Sequence, residues 1–465
     1  MTNVTIFDAL CGSGKTIEVK KLIGNSDSTT DKYLYITPFL GELHRIAQTT
    51  PRPLKKGEDT KQEGKTPPLR DKNNQIIYST PSYREEKCVK EFRFKQPEVR
   101  NASGSKRASL LYLLDNKENI VSTHQLYQTF DKESLIDCKD YTLIIDEAIS
   151  VYETYHNLSA KTVKAQIEVG NMYLDDNGIT IRMKDDTFNM TDIGKIKDAT
   201  FDIKEYKLLC DEGMLLLLHG TVVMWKLPKE LFSSFKNVII CTYQFRGSIL
   251  ETYFIQNNIQ YNIKCWGKKP SDIKHLINIY EGPLNQTEQS TMYNYSWYGN
   301  TTNIDDTRKL LDNYFKNVVK ASAKDRLWSC YTTYTNGTPE QTIENIHKKI
   351  GNKRYDKQWL AFNTKATNNF ADRHNIAYMV NIHYKPALKD LINKTHKDEE
   401  DVSVKFKEEL YAINEMIQFI WRSAIRNEEQ INLFLPSERM RKLLNKWLNN
   451  EYEPYRTALS VQHTQ

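Results

Sequence analysis

The sequence lacks the features that mark several large classes of protein. No run of eighteen or more apolar residues occurs in the 465-residue chain, so we expect no transmembrane helix and no membrane partner. The N-terminus has no basic flank followed by a long apolar stretch, so it does not resemble a secretory signal. The seven cysteines lie 24 or more residues apart, and the ten histidines form no ligand cluster. The sequence therefore predicts neither a disulfide framework nor a structural metal site, and a cytoplasmic protein is expected.

The net charge is also small, but it is unevenly distributed. Lys and Arg total 65 and Asp and Glu total 59, so the formal charge is +6. The segment Arg52–Arg107 alone carries 15 basic and eight acidic residues, which leaves the rest of the chain close to neutral. Within it, Tyr83, Phe92 and Phe94 are interleaved with basic residues. This combination is compatible with contact with nucleic acid and equally with a solvated loop that keeps the protein soluble.

Short apolar segments alternate with amphipathic segments along most of the chain, as strands and helices do in a layered α/β protein. Ten of these runs have the composition of buried parallel strands. The first five are Val4–Asp8, Tyr33–Thr37, Asn119–Ser122, Thr142–Ile145 and Val238–Thr242, and the second five are Leu276–Tyr280, Leu327–Thr332, Trp359–Asn363, Ala377–Ile382 and Gln430–Leu435. Two series of five predict two tandem lobes on doubly wound parallel sheets, at residues 1–255 and 256–465.

Two intervals interrupt this alternation of apolar and amphipathic segments. Residues 50–107 are rich in Pro, Lys, Gly and Ser, which predicts a basic and largely looped insertion. Residues 151–225 separate two predicted strands by too much for a single crossover, so we predict an inserted subdomain there. Within it, residues 178–190 alternate like a hairpin, and residues 213–220 are apolar enough to form core.

A glycine-rich loop follows the first predicted strand and precedes a helical pattern. Two glycines, Gly12 and Gly14, allow successive backbone N–H groups to point at phosphate oxygens, and the helix that follows adds its positive end. Lys15 would pair with the β- and γ-phosphates, and the Thr16 hydroxyl would hold Mg²⁺. A chance glycine turn is the alternative. The loop predicts that ATP and Mg²⁺ are bound by Gly12, Ser13, Gly14, Lys15 and Thr16.

An acidic pair follows a second buried strand. Four apolar residues precede Asp146 and Glu147, which places both carboxylates at the carboxyl edge of a doubly wound sheet, near the glycine-rich loop. Phosphoryl transfer to water needs one carboxylate to hold the metal ion and another to orient and deprotonate the water. Asp146 fits the first role and Glu147 the second. An Asp-Glu pair after a strand is usually structural when it stands alone, but together with the loop it predicts an NTPase.

These motifs resemble those of the superfamily 2 helicases. The loop Ala9-Leu10-Cys11-Gly12-Ser13-Gly14-Lys15-Thr16 resembles their motif I, which commonly begins with Ala, and Asp146-Glu147-Ala148-Ile149 resembles their DEAD/DEAH-type motif II. The resemblance implies two RecA-like lobes with ATP bound between them. It also implies nucleic-acid contacts at Thr37 in the motif Ia-like segment and at Thr123 and His124 after the next strand.

Further segments resemble later motifs of the same family. Residues 238–254 resemble motif III, with Thr242-Tyr243-Gln244 in place of the usual Ser-Ala-Thr, and residues 359–381 resemble motif V without its usual Gly-Asp pair. Residues 418–444 resemble motif VI and are most similar to helicase-type proteins of bacteriophages.

Three polar residues of the motif VI-like segment recur every four positions. We predict that Gln418, Arg422 and Arg426 share one helical face, which could direct two guanidinium groups at ATP as arginine fingers. A salt-bridged surface helix is the alternative. Lys106 and Arg107, at the end of the basic segment, are further candidates for nucleic-acid contact.

The sequence therefore predicts an ATP-dependent helicase or translocase, with single-stranded or forked DNA favoured by the phage resemblance and RNA left open. A monomer is compatible with the sequence, which does not determine the oligomeric state. One alternative is a P-loop phosphotransferase such as a nucleotide kinase. Another is a nucleic-acid-binding switch that uses ATP without unwinding a duplex.

Overall fold

Two parallel β-sheets, one in each half of the chain, organise the structure. The structure is a computed structural model, and the residues that it describes are 2–38, 46, 92–98, 105–184, 203–285, 291–335, 341–364, 369–386, 388–389, 391 and 408–457. The elements of the first lobe are β1 (Asn3–Ala9), α1 (Lys15–Gly24), β2 (Lys32–Thr37), α2 (Lys106–Asp115), β3 (Ile120–Thr123), α3 (His124–Tyr127), α4 (Lys132–Ile136), β4 (Tyr141–Asp146), β5 (Tyr152–Thr154), α5 (Ala160–Glu168), β6 (Met172–Leu174), β7 (Ile181–Met183), α6 (Ile203–Asp211), β8 (Leu215–Leu218), β9 (Val222–Lys226), α7 (Glu230–Ser233), β10 (Asn237–Thr242), α8 (Ile249–Gln256) and β11 (Tyr261–Trp266). The elements of the second lobe are β12 (Ile277–Ile279), α9 (Thr301–Asn313), β13 (Arg326–Ser329), α10 (Ile346–Tyr355), β14 (Asn375–Tyr378), α11 (Glu408–Ile420), β15 (Ile431–Phe434), α12 (Glu438–Leu448) and α13 (Glu453–Thr457).

The sheet of lobe 1 brings the ends of its central strands to one edge. Within the described residues it has six parallel strands in the order β11-β1-β10-β4-β2-β3. Asp8 of β1 is in register with Thr242 of β10, and Cys241 of β10 is in register with Asp146 of β4. The strands that precede the glycine-rich loop and the acidic pair are therefore separated by one strand and end at the same edge.

Both faces of this sheet are buried. Along β4, Leu143 and Ile145 pack into one apolar cluster, while Ile144 between them packs into another on the opposite face. Neighbouring strand residues point to opposite faces, so a sheet covered on both sides needs continuous apolar strands. This is why these strands could be recognised from short apolar runs.

Lobe 2 repeats this construction on a smaller scale. Within the described residues, four parallel strands lie in the order β12-β15-β14-β13. Leu433 packs on one face and Phe434 on the other, again in separate clusters. The predicted fold class, two tandem α/β lobes on doubly wound parallel sheets with insertions, is confirmed.

Two details of the predicted organisation are wrong. The strand Tyr261–Trp266 was not predicted and pairs with β1, so the first sheet continues past residue 255 and the boundary between lobes follows Trp266. The predicted strand Trp359–Asn363 is absent from the described residues, where Trp359 forms a single isolated bridge with Trp328. An isolated apolar run does not distinguish a strand from a packed turn.

The described residues 151–184 and 203–226 form an inserted subdomain. Its strands β5, β9 and β8 make an antiparallel sheet, β6 and β7 make a separate hairpin, and residues of both pack in a cluster of their own. Leu215–Leu218 are all buried, as predicted for residues 213–220. A hairpin was predicted within residues 178–190, but β7 pairs with β6, which precedes that interval. Residues 185–190 lie outside the described residues.

Most of the basic insertion, including Tyr83, lies outside the described residues. Phe92 and Phe94 are described. They are only 2% and 4% exposed, because they pack against Tyr33 and the strands of lobe 1. The interpretation of these two rings as stacking partners for bases is wrong, because they belong to the core. Lys95 extends the sheet edge: its N–H donates to the carbonyl of Asn119.

Among the described residues, no helix combines the length and apolarity needed to cross a bilayer.

Candidate active site

The glycine-rich loop connects β1 to α1 and has the backbone that the sequence predicted. Gly12 and Gly14 have φ values of 79° and 78°, in the left-handed region that favours glycine. Gly14 is the N-cap of α1, and the N–H of Ser13 donates to the carbonyl of Leu10 over 3.1 Å. The loop thus turns tightly into a ten-residue helix, whose first N–H groups form an anion-binding end.

The side chain of Lys15 folds back over this loop. Its ammonium donates to the carbonyl of Ala9 over 2.5 Å and to that of Leu10 over 3.2 Å. These two carbonyls hold the ammonium at the loop, where phosphate oxygens could replace them as acceptors.

The oxygens expected to hold Mg²⁺ lie next to each other. The Thr16 hydroxyl is 3.5 Å from a carboxylate oxygen of Asp146, and the hydroxyl of Tyr35 donates to the same oxygen over 3.0 Å. Hydroxyl and carboxylate oxygens are the ligands that Mg²⁺ prefers, so Thr16 and Asp146 fit this ion. Tyr35, which the sequence did not single out, comes from β2 and fixes the orientation of the carboxylate.

Glu147 has an unusual backbone and an unsatisfied side chain. Its φ is 66°, a left-handed conformation that costs free energy in a non-glycine residue. One carboxylate oxygen, Oε2, is buried without a hydrogen-bond partner among the described residues. The Asp146 carbonyl, in the peptide that links the two acids, lies 3.2 Å from Nε2 of His124. The strained turn is thus held from the first residue of α3, directly after β3, which lies two strands away in the sheet.

A buried carboxylate supports the segment after β10. Asp8 is completely buried and accepts the N–H groups of Gln244 over 3.0 Å and of Phe245 over 2.8 Å. These bonds hold Gln244 in a left-handed conformation, with φ of 57°. Burial raises the pKa of Asp8 above its ordinary value, although both amides and the charge of Arg456 act in the opposite direction. Asp8 therefore links the strand before the glycine-rich loop to the motif III-like segment.

The C-terminal helices bind the same region. Arg456 of α13 lies 3.8 Å from the Asp8 carboxylate and donates to its backbone carbonyl over 3.1 Å. The indole N–H of Trp447 in α12 donates to the hydroxyl of Tyr243 over 2.6 Å. Helices α12 and α13 are therefore part of the structure that surrounds the glycine-rich loop.

Two tryptophans flank the loop. The Trp266 indole N–H donates to the Ser13 carbonyl over 3.0 Å from the edge strand of lobe 1. From lobe 2, Nε1 of Trp421 is 3.7 Å from the point where a Cβ would lie on Gly12, and Leu10 packs into the core of that lobe. The turn after α11 thus lies directly on the glycine-rich loop.

The single helical face predicted for motif VI is wrong. Helix α11 ends at Ile420, so only Gln418 lies within it, where its amide donates to Asn414. Arg422 follows in a turn and is buried, whereas Arg426 lies on the 3₁₀ turn Ala424–Asn427 and is exposed. The four-residue spacing assumed a helix that continued, but the chain turns at Trp421 to pack against the loop of lobe 1.

The candidate nucleic-acid residues have varied surroundings. Thr37 is buried at the end of β2, and Thr123 caps α3 by accepting the N–H of Leu126. Lys106 is exposed at the start of α2, whereas Arg107 donates to the carbonyl of Thr129 and also pairs with Asp131. The five candidates are therefore not equally accessible, since Thr37 and Arg107 are already engaged or covered.

Asp8, Tyr35 and the two flanking tryptophans are functional candidates that were not predicted from the sequence. Asp8 left a signal, because a lone carboxylate in an otherwise apolar strand must be paired when that strand is buried. Tyr35 and the tryptophans left none, because aromatic residues in apolar segments are most often core.

Comparisons with solved structures find distant likenesses over most of the chain. S. tokodaii Xpd4 has a TM-score of 0.45 and 14% identity, with coverage of 96% of this chain and 94% of that chain. A DEAD box protein from the hyperthermophile Methanococcus jannaschii has a TM-score of 0.24 and 10% identity, with coverage of 97% and 87%.

Sequence comparisons find a full-length relative. The chain is 27% identical over 478 residues to the SPbeta prophage-derived uncharacterized protein YonV of Bacillus subtilis (strain 168), which covers 97% of this chain and 100% of that protein. Residues 271–448 match the family model of the YonV C-terminal Rossmann-like domain. The second lobe is thus similar to a Rossmann-like domain family, and the chain as a whole is similar to a prophage-derived protein.

Proposed function

We propose that this protein is an ATP-dependent nucleic-acid helicase or translocase that hydrolyses ATP between its two lobes. The observation that carries the proposal is that two sequence motifs and a turn of the second lobe converge. The glycine-rich loop, the acidic pair Asp146–Glu147 and the turn Trp421–Arg422 meet at one edge of the first sheet. A nucleotide between the lobes would make contact with all three, so its hydrolysis would change how the lobes fit together.

Binding of ATP begins with an exchange of partners. Lys15 would leave the carbonyls of Ala9 and Leu10 for phosphate oxygens, while Gly12, Ser13 and Gly14 supply backbone N–H groups. Thr16 and Asp146 would hold Mg²⁺, which supplies positive charge that offsets the triphosphate. Because the hydroxyl of Tyr35 already fixes the Asp146 carboxylate, this ligand needs little reorganisation.

Hydrolysis requires a base. The unpartnered Oε2 of Glu147 would accept a proton from a water molecule as the water oxygen bonds to the γ-phosphorus. The bond from that phosphorus to the bridging oxygen breaks, and the products are ADP and inorganic phosphate. Gln418, Arg422 and Arg426 are proposed to complete the site from lobe 2, where guanidinium groups stabilise the negative charge of the transition state.

Nucleic acid would bind along the same edge of lobe 1, at Thr37, Thr123, His124, Lys106 and Arg107. His124 connects this region to the acidic pair through the carbonyl of Asp146, so strand binding can adjust the position of Glu147. Single-stranded or forked DNA is the substrate we favour, since the full-length relative is prophage-derived. Contact with the Thr37 side chain requires a local rearrangement, because that side chain is buried.

The test is the ATPase rate with no nucleic acid and with single-stranded DNA, duplex DNA or RNA, each at two salt concentrations. We expect stimulation by single-stranded DNA that weakens as salt rises, because phosphate contacts release counterions. Lys15→Ala and Glu147→Gln should each lower turnover by about 100-fold or more. Lys21→Ala, on the exposed side of α1, is the matched control. Wild-type-like hydrolysis in either active-site variant would overturn the proposal.

Strand displacement from a forked duplex then separates this function from its alternatives. A helicase displaces the strand only with hydrolysable ATP, and a translocase moves along one strand without displacing another. A switch would bind nucleic acid differently in the ATP and ADP states and do neither. A phosphotransferase would show no response to nucleic acid.

A further inference from the structure

Two arginines of lobe 2 are enclosed without full hydrogen bonding. Arg422 is 4% exposed, its Nε has no hydrogen-bond partner among the described residues, and one terminal nitrogen lies 3.4 Å from the carbonyl of Thr364. Arg373 has a side chain that is 19% exposed, and two of its nitrogens lack hydrogen-bond partners in the same described set. Its Nε is 3.3 Å from a carboxylate oxygen of Asp372, but without hydrogen-bond alignment.

Such groups need an explanation, because a guanidinium withdrawn from water without hydrogen bonds destabilises the fold. The nearest carboxylate does not provide one, since the Asp372 side chain is 71% exposed and its charge is screened by solvent. The Phe370 ring, whose centre is 6.0 Å from the guanidinium carbon of Arg373, still leaves two nitrogens without hydrogen bonds among the described residues. A planar group with several free N–H donors is suited to an anion with several oxygens, such as a phosphate.

Arg422 lies in the turn that packs on the glycine-rich loop, and the segment of Arg373 is hydrogen-bonded to that turn. The backbone carbonyl of Arg373 accepts the N–H of Ala424 over 2.9 Å, which joins its segment to the turn that contains Arg422. Trp421 in that turn lies on Gly12, and Phe370, three residues before Arg373, packs in the same apolar cluster as Leu10. Arg373 is thus joined through its backbone to the turn that contacts the nucleotide loop.

We propose that Arg373 is a second catalytic arginine, which acts beside Arg422 on the γ-phosphate of ATP. The proposal rests on the ATP-hydrolysing function proposed above and adds a residue outside the motif VI-like segment. Arg426 is exposed, whereas Arg373 is largely buried and has N–H donors without acceptors among the described residues. Both guanidiniums would donate to oxygens of the phosphoryl group while its bond to the ADP oxygen breaks. The charge that develops there is then shared between Arg373 and Arg422.

The test compares Arg373→Ala, Arg373→Lys and Arg426→Ala, with Arg308→Ala as the matched control on an exposed, ion-paired arginine of lobe 2. ATPase kcat and KM are measured with saturating single-stranded DNA, and affinities for ATPγS and ADP are measured by calorimetry. Arg373→Ala should lower kcat by about 100-fold or more and weaken ATPγS binding, while ADP affinity stays within about threefold, because ADP has no γ-phosphate. Arg373→Lys should not restore kcat, because lysine lacks the planar fork.

The calorimetry separates failure of this proposal from failure of the proposed function. If the wild type binds both nucleotides without hydrolysing ATP, the proposed function fails, and a selective loss of ATPγS affinity in Arg373→Ala still supports the contact. If Arg373→Ala weakens ATPγS and ADP equally, or lowers the melting temperature and nothing else, the residue is structural and the proposal is overturned. Loss of kcat in Arg426→Ala but not in Arg373→Ala also overturns it. If Arg373→Ala does not fold, the same comparison of ATPγS and ADP affinities is made with Arg373→Lys.

Discussion

The buried pair Asp8–Arg456 permits a quantitative prediction. Arg456→Met keeps most of the side-chain volume. It breaks the 3.0 Å ion pair of Arg456 with Glu453 and removes the charge that faces the completely buried Asp8 carboxylate over 3.8 Å. At that separation, and with an effective dielectric constant of about 20, the lost attraction is about 4 kcal/mol. This agrees with the roughly 3–5 kcal/mol typical of breaking a buried ion pair from one side. The double variant Asp8→Asn/Arg456→Met should be less destabilised than the sum of the single changes by about 1–3 kcal/mol.

The effect should depend on pH in a defined direction. Burial already raises the pKa of Asp8, and loss of Arg456 raises it further because a favourable charge is removed. A folded-state pKa above the unfolded value means that protonation favours the folded state. The destabilisation in Arg456→Met should therefore be largest at neutral pH and diminish as pH falls through the folded-state pKa, since a protonated Asp8 needs no counter-charge.

Hydrogen exchange at the amides of Gln244 and Phe245 is the local measurement, because both donate to Asp8. If the lost stabilisation lowers the free energy needed to open the segment after β10, the exchange of these two amides should accelerate by roughly 100- to 1000-fold. Lys442→Met, which breaks an exposed pair with Glu438 on α12, is the control and should leave the melting temperature almost unchanged. Unchanged amide exchange, together with a melting temperature equal to that of Lys442→Met, would refute the reasoning.

Three further predictions concern other contacts. His124→Ala should lower the ATPase rate without nucleic acid by about 5- to 10-fold, because one hydrogen bond to the Asp146 carbonyl is lost, and His124→Gln should restore most of it. His374 bridges two carboxylates, and although partial burial acts against it, these bonds raise its pKa. The melting-temperature difference between wild type and His374→Gln should therefore be largest below about pH 6.5 and vanish as pH rises through the raised pKa. Lys87 and Lys90 belong to the basic segment Arg52–Arg107. Their replacement by Gln should raise the single-stranded DNA concentration needed for half-maximal stimulation of the ATPase, mainly at low salt.

Each of these has a clear contrary result. A full basal rate in His124→Ala would mean that the bond to the acidic pair does not position Glu147. A stability difference in His374→Gln that grows with pH would contradict the sign derived from its two carboxylates. Unchanged DNA dependence after removal of Lys87 and Lys90 would mean that the basic segment is a solubilising loop.

Much of the first lobe could be predicted because its signals are local. A strand buried on both faces is apolar along its length, and the loop that ends at Lys15 needs glycines at fixed positions, so both are visible in short windows of sequence. The acidic pair was placed at the correct edge for the same reason. The loop could be recognised even though its first position is Ala9, where the phosphate-loop pattern has glycine.

The parts that could not be predicted depend on distant partners. Strand Tyr261–Trp266 alternates between exposed and partly buried residues, and its place beside β1 is set by pairing across more than 250 residues. Phe92 and Phe94 looked like base-stacking rings because their neighbours are basic, but they pack on β2. The turn at Trp421 broke a four-residue period that was regular in sequence, because packing against lobe 1 outweighs local helical preference.

The position of β1 between β10 and β11 also has a consequence for how the protein is made. The N-terminal strand leaves the ribosome first, but its two neighbours end only at Thr242 and Trp266. At a synthesis rate of about 5–20 residues per second, this apolar strand remains unpaired for roughly 10–50 seconds before both neighbours have been made. Asp8 waits longer still, until Arg456 is synthesised. A fragment that stops short of these residues would carry the glycine-rich loop without the sheet that shapes it, so nucleotide binding should appear only late in synthesis.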